Sequence, residues 1–280
     1  MKEYLKTNYD LNDKEIVSVI DELPLWSAPF GLKLLDKIRY RKNITALDIG
    51  FGLGFPLLEV AMRLGASSKV YGIDPWETAT ERAIEKIKVY DINNVEIIMG
   101  VAENIPIPNN SVNLIFSNNG LNNVSDLKAV LQECGRISKT SAQLVFTFNT
   151  DKTMNEFYSL LEDVLFEKNM HNEISLMKRH IYKKRKPVEE FQSLLEFNGF
   201  TINEILFDEF SIDFATGTAM LNHFLIKLAF IGSWKEIVSE EKHAEIFREV
   251  EMRLNKIAES NGSIKLIIPY VLMDCEKTGA

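Results

Sequence analysis

At 280 residues, with 46% apolar and 26% charged residues, the chain is long enough for one large domain, or one domain with an attached cap, around a sizeable core. Its net charge of −8 opposes phosphate backbones unless a basic face is concentrated somewhere, so no nucleic acid is expected as partner. The two cysteines, Cys134 and Cys275, form no Cys-x-x-Cys pair, which argues against a disulfide framework or a cysteine-rich zinc site; no metal is expected, and a reducing, cytoplasmic setting is.

The opening residues carry acid early and no apolar segment, so they do not read as a signal peptide. Residues 13–22 have helical spacing, with Asn12 or Asp10 as cap. Leu23-Pro24-Leu25-Trp26-Ser27-Ala28-Pro29 breaks that helix, and a second runs to about Ile38. Residues 44–49 are a short apolar run ended by glycines and read as a buried strand. A helix over 56–64, a strand over 70–74, a helix over 77–90 and strands over 95–99 and 112–116 follow. A helix over 124–137 and a strand over 143–148 close this half. Beyond residue 150 the rhythm loosens: helices at 153–168 and 187–197, a strand at 200–208, a helical block at 217–260 and a last strand at 264–273. The apolar region 219–232 is interrupted by Asn222, His223 and Lys227 and is too short to span a bilayer.

Strands alternating with helices specify an α/β, doubly wound, mostly parallel sheet of seven strands with right-handed crossovers. The expected organisation is an N-terminal helical cap (1–39), a cofactor-binding core (40–150), and a stretch (151–280) that completes the sheet and carries a helical lid insertion at about 215–260. The whole is expected as one continuous domain.

Leu47-Asp48-Ile49-Gly50-Phe51-Gly52-Leu53-Gly54-Phe55-Pro56 is the most informative stretch, since it follows a strand and precedes a helix. Glycines there let backbone approach a ligand closely, and the helix behind offers free N–H groups. A dinucleotide site wants Gly-x-Gly-x-x-Gly, but Phe55 or Leu57 stands where the last glycine is needed. An acid two residues before the first glycine repels a pyrophosphate and favours an ammonium group. Asp74, 20 residues past Gly54 at a strand end, has the oxygens to accept from two ribose hydroxyls, as dehydrogenases also require.

Asp48-Ile49-Gly50-Phe51-Gly52-Leu53-Gly54 resembles the first motif of class I S-adenosylmethionine-dependent methyltransferases. The resemblance covers roughly residues 40–150 and is strongest to the ubiquinone- and menaquinone-biosynthesis type. It implies a Rossmann-like class I methyltransferase fold with S-adenosylmethionine as cofactor. Asp48, Gly50, Phe51, Gly52, Gly54, Asp74, Pro75 and Trp76 would then line the cofactor. Gly100-Val101-Ala102-Glu103-Asn104-Ile105-Pro106 resembles the adenine-binding loop, in which Val101 replaces the usual acid and removes one acceptor for the adenine amino group. The stretch after the fourth strand, with Ser117 and Asn118 toward the cofactor and Asn119 and Asn122 toward substrate, lines the active site in such enzymes. It is not the Asn-Pro-Pro-aromatic motif of nucleic-acid methyltransferases. The usual Pro-Gly-Gly turn before the fifth strand is absent, Arg136-Ile137-Ser138-Lys139-Thr140-Ser141-Ala142 standing in its place.

Methyl transfer from a sulfonium needs an aligned nucleophile and exclusion of water, and needs a base only where the nucleophile must lose a proton. Trp26 and Phe30 are the aromatic candidates to wall a small-molecule substrate or face the cation, or else they pack a helix on the core. Asn118, Asn119 and His223 are the weak catalytic candidates. Leu221, Phe224, Leu225, Leu228 and Ile231 make an apolar helix face that suits an apolar substrate or a homodimer contact. The one basic run, residues 178–186, reads as a solvated, partly flexible loop in preference to a site for a phosphate or an acidic carrier protein. The expected activity is methyl transfer to an O, N or C atom of a small molecule. A non-catalytic S-adenosylmethionine-binding protein is the alternative, and an NAD-dependent oxidoreductase is disfavoured by the glycine spacing.

Overall fold

The computed structural model describes residues 2–6, 8–21 and 26–278. The expected end of the first long helix at residue 22 and the break at residues 23–25 lie outside the described residues. The chain forms two compact units: residues 1–10, 151–185 and 209–269 make the first, and residues 11–150, 186–208 and 270–280 the second.

The second unit holds the alternating elements. After α2 (Lys14–Asp21) and α3 (Ser27–Lys37) come β1 (Thr45–Ile49), α4 (Leu57–Leu64), β2 (Lys69–Asp74), α5 (Glu77–Val89), β3 (Val95–Met99) and β4 (Val112–Asn118). A 3-10 turn (Gly120–Asn122), α6 (Leu127–Ile137) and β5 (Ser138–Asn149) follow. With β6 (Phe200–Phe214) and β7 (Ile264–Lys277) they form a seven-stranded sheet of order β3-β2-β1-β4-β5-β7-β6. β1 pairs in parallel with β2 and β4, β2 with β3, and β4 with β5; β7 runs antiparallel to β5. The α/β, mostly parallel, doubly wound sheet expected above is therefore the one observed. Helix α9 (Val188–Phe197) also belongs to this unit.

The strand period of two explains the double winding. Leu47, Ile115, Leu144 and Phe146 join one buried cluster, while their neighbours Ala46, Leu114, Phe116 and Val145 join another. Every central strand thus feeds two cores and reads as a continuous apolar run. In the first of these clusters Phe191 of α9 stacks on Phe148 at 4.1 Å between ring centroids.

Several boundaries differ from the expected ones. Asp13, rather than Asn12 or Asp10, caps α2, its Oδ1 accepting from the Glu15 N–H at 2.8 Å. Strand β5 starts at Ser138, earlier than the apolar run shows, with Ser141 at a φ of 62°. Asp126 caps α6 by accepting from the Ala129 N–H at 3.1 Å, which places the helix start after residue 124.

The first unit is mainly helical: α1 (Glu3–Lys6), α7 (Asn155–Glu167), α8 (His171–Lys184), α10 (Gly217–Asn222), α11 (Phe224–Ile226), a π-helical turn (Lys227–Ile231), α12 (Gly232–Lys235) and α13 (Glu240–Asn261). The basic run is not a loop: residues 178–184 are the C-terminal half of α8, which buries Met177. Trp234, fully buried, stacks on Phe157 at 3.6 Å and donates its indole N–H to the Tyr158 hydroxyl at 3.1 Å. Glu251 of α13 accepts from Tyr4 at 2.9 Å and from Thr218 at 2.7 Å, joining α1, α10 and α13. The apolar stripe read around residue 224 is partly withdrawn from solvent: Leu221 and Ile231 are buried, Phe224, Leu225 and Leu228 half-buried. No described helix is long and apolar enough to cross a membrane.

Cys134 and Cys275 are both free and fully buried, and burial pushes both thiols up, Cys134 to about 12. A thiolate is the reactive form. Native protein at pH 8 is therefore expected to leave a chromogenic disulfide reagent unreacted, and denatured protein to react with two equivalents. Rapid reaction of either thiol in the native state contradicts this packing.

Candidate functional site

The order of the sheet reverses between β1 and β4, and in open sheets of this kind ligands bind beyond the carboxyl ends of the strands at that crevice. Among the candidate site residues named above, those of the second unit fall at the carboxyl ends of β1, β2 and β4, on the loops after β1, β2, β3 and β4, or at the start of α3. His223 belongs to the first unit.

The loop after β1 is shaped by three glycines with left-handed φ: Gly50 at 76°, Gly52 at 50° and Gly54 at 104°. Gly50 donates its N–H to the Ile73 carbonyl at 2.9 Å, tying the loop to β2. A side chain on Gly50 would also meet the Gly120 backbone at 3.0 Å. Gly120 itself, at the turn after β4, is tighter still: a Cβ there would lie 2.5 Å from the Ile49 carbonyl oxygen and 2.7 Å from the Ser117 Oγ. The loops after β1 and β4 thus touch backbone to backbone, and Gly120 is a site residue that the motif reading missed. Its signal was present in Asn119-Gly120, a pair favoured where φ turns positive; Asn119 has a φ of 59°.

Asp48 is fully buried and neither carboxylate oxygen has a hydrogen-bond partner. Burial pushes its pKa well above the usual carboxylate range. The nearby Asp74 charge adds to the shift, and the Leu57 N–H at the start of α4, outside hydrogen-bonding geometry with either oxygen, opposes it only in part. A buried carboxylate without a partner is unfavourable until it gains a proton or a cation.

Asp74, at the end of β2, is also buried and also raised, by burial first, with two backbone N–H groups opposing. Its Oδ2 accepts from Gly52 at 2.8 Å and its Oδ1 from Trp76 at 2.8 Å. Asp74 therefore clasps the glycine loop, and each oxygen keeps acceptor capacity for a further donor. Trp76 donates its indole N–H to the Leu11 carbonyl at 2.9 Å, and Pro75 is exposed. In the loop after β3, Val101 is half exposed and Ala102 buried. Glu103 accepts from the Ser125 and Asp126 N–H groups at 2.8 and 3.1 Å, fixing that loop against the entry to α6.

At the end of β4, Ser117 donates to the Ile49 carbonyl at 2.7 Å. Asn118 donates from Nδ2 to the Ser27 carbonyl at 3.0 Å and accepts from the Thr147 hydroxyl at 3.2 Å, so its amide joins α3, β4 and β5. Asn119 accepts on Oδ1 from the Asn149 N–H at 3.1 Å, and Asn122 donates to the Asn149 carbonyl at 3.1 Å. Phe30 is fully buried, edge-on to Trp26 at 5.6 Å and to Tyr270 at 4.9 Å; Trp26 is half-buried. Helix α3 lies so close to the loop that a Cβ on Gly31 would overlap the Phe55 ring, 2.1 Å from Cε1. Phe51 is buried against Leu57 and Val70 in the sheet core.

Lys86 of α5 was not foreseen. It donates to the Leu53 carbonyl of the glycine loop at 2.7 Å and pairs with Asp21 at the end of α2, which Arg82 also reaches at 3.0 Å. No periodicity in the sequence marks these residues, because their meeting depends on tertiary packing. In the first unit, His223 is half-buried, edge-on to Phe214 at 5.2 Å, with its Nδ1 unpartnered and its pKa lowered by burial.

Residues 47–146 match a family model described as a methyltransferase domain. The demethylmenaquinone methyltransferase of Geobacillus sp. (strain WCH70) is 30% identical over 126 residues, covering 45% of this chain and 54% of that protein. The chain thus spans about half the length of the relatives it matches. Among solved structures, the YcgJ protein from Bacillus subtilis superposes with a TM-score of 0.59 at 16% identity, over 90% of this chain and 99% of that one. A SAM-dependent methyltransferase from Aquifex aeolicus superposes with a TM-score of 0.50 at 24% identity, over 69% of this chain and 92% of that one. The likeness to these structures is one of fold, the Rossmann-like class I methyltransferase fold expected from the glycine motif.

Asp48 gives the site a pH signature. An acid whose pKa is raised on folding lets stability fall as pH climbs from its unfolded value of about 3.9 through the raised one. Asp48→Asn is expected to unfold at a higher temperature than the parent at neutral pH, because the amide keeps the shape of the side chain and removes the cost of an acid whose pKa is raised on folding. The gap is expected to close as pH falls toward 4, as read by thermal unfolding across pH. An Asp48→Asn protein that is less stable at every pH contradicts the buried-carboxylate account.

Proposed function

We propose that the methyltransferase domain at residues 47–146 makes this chain an S-adenosylmethionine-dependent methyltransferase, acting on an O, N or C atom of a small molecule. The observation that carries the reading is the unpartnered, fully buried Asp48 carboxylate beneath three left-handed glycines. That cradle suits a ligand bringing both an ammonium group and a ribose. The Asp48 carboxylate takes the ammonium as its missing partner, and Asp74 has the acceptor capacity for ribose hydroxyls. A dinucleotide pyrophosphate would set its negative charge beside the same two acids, which disfavours the oxidoreductase alternative.

The residues present fit such a cofactor with one departure. Val101 cannot accept from an adenine amino group, so backbone around Ala102 and the apolar side chains nearby must hold the ring. The cofactor, when bound, supplies a methyl group that is already electrophilic. What the chain supplies is position: Gly50 and Gly120 hold two loops in contact, Asp74 and Lys86 fix the glycine loop, and Ser117 anchors it from β4. Alignment of this kind lowers a barrier by up to about 7–11 kcal/mol in ideal cases. Asn118 and Asn119 carry no titratable group and their amides bind the framework, so they act here as positioning residues. Val101, Trp26 and Asn122 are the proposed borders of the ligand space, and Phe30 the packing behind it.

The acceptor is proposed only as a small molecule. The substrate class that names the relatives, a demethylmenaquinone, is a candidate, but residues 147–280 lie outside the family match. With a net charge of −8 and two buried free thiols, a cytoplasmic setting and no nucleic-acid partner are the proposed context, with homodimerisation left to measurement. The one reading from a different class is an S-adenosylmethionine-binding protein without turnover.

Incubation with methyl-labelled S-adenosylmethionine and fractionated metabolite extract separates these. Label is expected in a low-molecular-weight product, and Asp74→Ala is expected to reduce transfer by about tenfold or more, the scale of one charged hydrogen bond. Binding without label transfer to any fraction favours the non-catalytic reading.

A further inference from the structure

Arg185 follows α8 in the first unit and is only 5% exposed. Its backbone is fixed by a hydrogen bond from its N–H to the Ile181 carbonyl at 2.9 Å. Its guanidinium is not fixed in the same way: the buried Nη1 has no hydrogen-bond partner. The group lies over the face of the Tyr158 ring, 5.5 Å from its centroid. Other arginines of this protein meet carboxylates. Arg253 reaches Glu167 and Glu249, and Arg136 reaches Glu133.

The surroundings of Arg185 deepen the imbalance. His180, one turn earlier on α8 and half-buried, has its pKa lowered by burial, then by Arg185, Lys184 and Lys183, with Glu236 as the opposing acid. His180 thus faces three cations against one acid, in a chain whose net charge is −8. A buried guanidinium nitrogen without an acceptor is disfavoured, and the carbonyl end of α8 and the Tyr158 ring offset only part of that. An arginine fork with free donors matches the two oxygens of a carboxylate or phosphate. Tyr158, over which the guanidinium lies, belongs to an aromatic cluster with Phe157 and Trp234, and its hydroxyl already accepts from Trp234.

We propose that Arg185 anchors an oxyanion-binding site in the first unit, taking the carboxylate or phosphate of a small molecule whose body is aromatic or apolar. The proposal stands whether or not the second unit transfers methyl groups, because its readout is binding. It also assigns a role to the one member of the basic run that is buried rather than exposed. Phosphate and carboxylate present the same planar or near-planar pair of oxygens to the fork, and separate probes tell them apart.

The test compares full-length protein with Arg185→Met and Arg185→Lys in dilute buffer. Without oxyanion, Arg185→Met is expected to unfold at a higher temperature than the parent, since it removes a buried donor that lacks an acceptor and keeps an unbranched apolar stem. Benzoate or inorganic phosphate is expected to raise the unfolding temperature of the parent, and benzamide, which keeps the ring without the charge, is not. Arg185→Met is expected to lose the response and Arg185→Lys to keep a weaker one. In the parent, the His180 imidazole pKa, followed by NMR, is expected to rise on saturation with the effective anion. A response to benzoate alone assigns the carboxylate class, and a response to phosphate alone the phosphate class. A destabilised Arg185→Met, together with a parent that responds to neither anion and an unmoved His180, overturns the proposal and makes Arg185 a structural residue.

Discussion

A carboxylate held out of water with nothing to bond to is the feature around which the second unit is arranged. Asp48 has zero exposure and no hydrogen-bond partner, and Asp74 stands close enough to raise its pKa further. An ordinary core position would carry an apolar residue there, as Ala46, Leu47 and Ile49 do on the same strand. Keeping an acid at that point lowers the stability of the ligand-free chain and creates a preference for a cationic group at the mouth of β1. The glycines then become intelligible: the backbone must turn away immediately after the acid, residues without a Cβ take the left-handed φ values at least cost, and Gly50 has room for its contact with Gly120 only without a side chain.

Around that acid, most polar side chains hold loops rather than reach into open space. Asp74 binds the Gly52 and Trp76 N–H groups, Glu103 binds the entry to α6, Ser117 binds the end of β1, and Asn118 ties α3 to β4 and β5. Each such bond is worth only about 0.5–1.5 kcal/mol net, more where a charge takes part, but together they fix four loops that share one crevice. A preformed frame of this type leaves the ligand little ordering to do, which is the physical content of preorganisation. Lys86 extends the frame to α2 through Asp21, so the N-terminal helices of this unit are coupled to the glycine loop by charge as well as by packing.

The sheet and the glycine loop were legible because their signals are local. Alternating two-sided burial makes each central strand an apolar run, and a turn that needs positive φ makes a glycine pattern. What was not legible depends on partners distant in sequence or on masking by charge. Helix α8 carries Ile174, Met177 and Ile181 at helical spacing, but six cations between Lys178 and Lys186 make the same stretch read as a solvated loop. The start of β5 at Ser138 is hidden because Ser138, Lys139, Thr140 and Ser141 have no apolar alternation; Ser138 pairs with Val112 of β4, and the register shifts before Gln143 pairs with Leu114. Asp21 and Lys86 have no motif at all, and Gly120 is marked only by the turn pair Asn119-Gly120; their roles follow from which loops the fold brings into contact. Asn118 illustrates the opposite error: its position by the crevice was evident, while the engagement of its amide by Ser27 and Thr147 was not.

The central claim is that Asp48 is a carboxylate reserved for the cationic end of S-adenosylmethionine. Calorimetric titration of the parent and of Asp48→Asn with that cofactor, with NADH titrated alongside, tests it most directly. The account predicts micromolar binding of S-adenosylmethionine to the parent, its loss in Asp48→Asn despite an intact fold, and no binding of NADH. Binding of NADH in place of the sulfonium cofactor, or equal binding of S-adenosylmethionine by parent and variant, would contradict it.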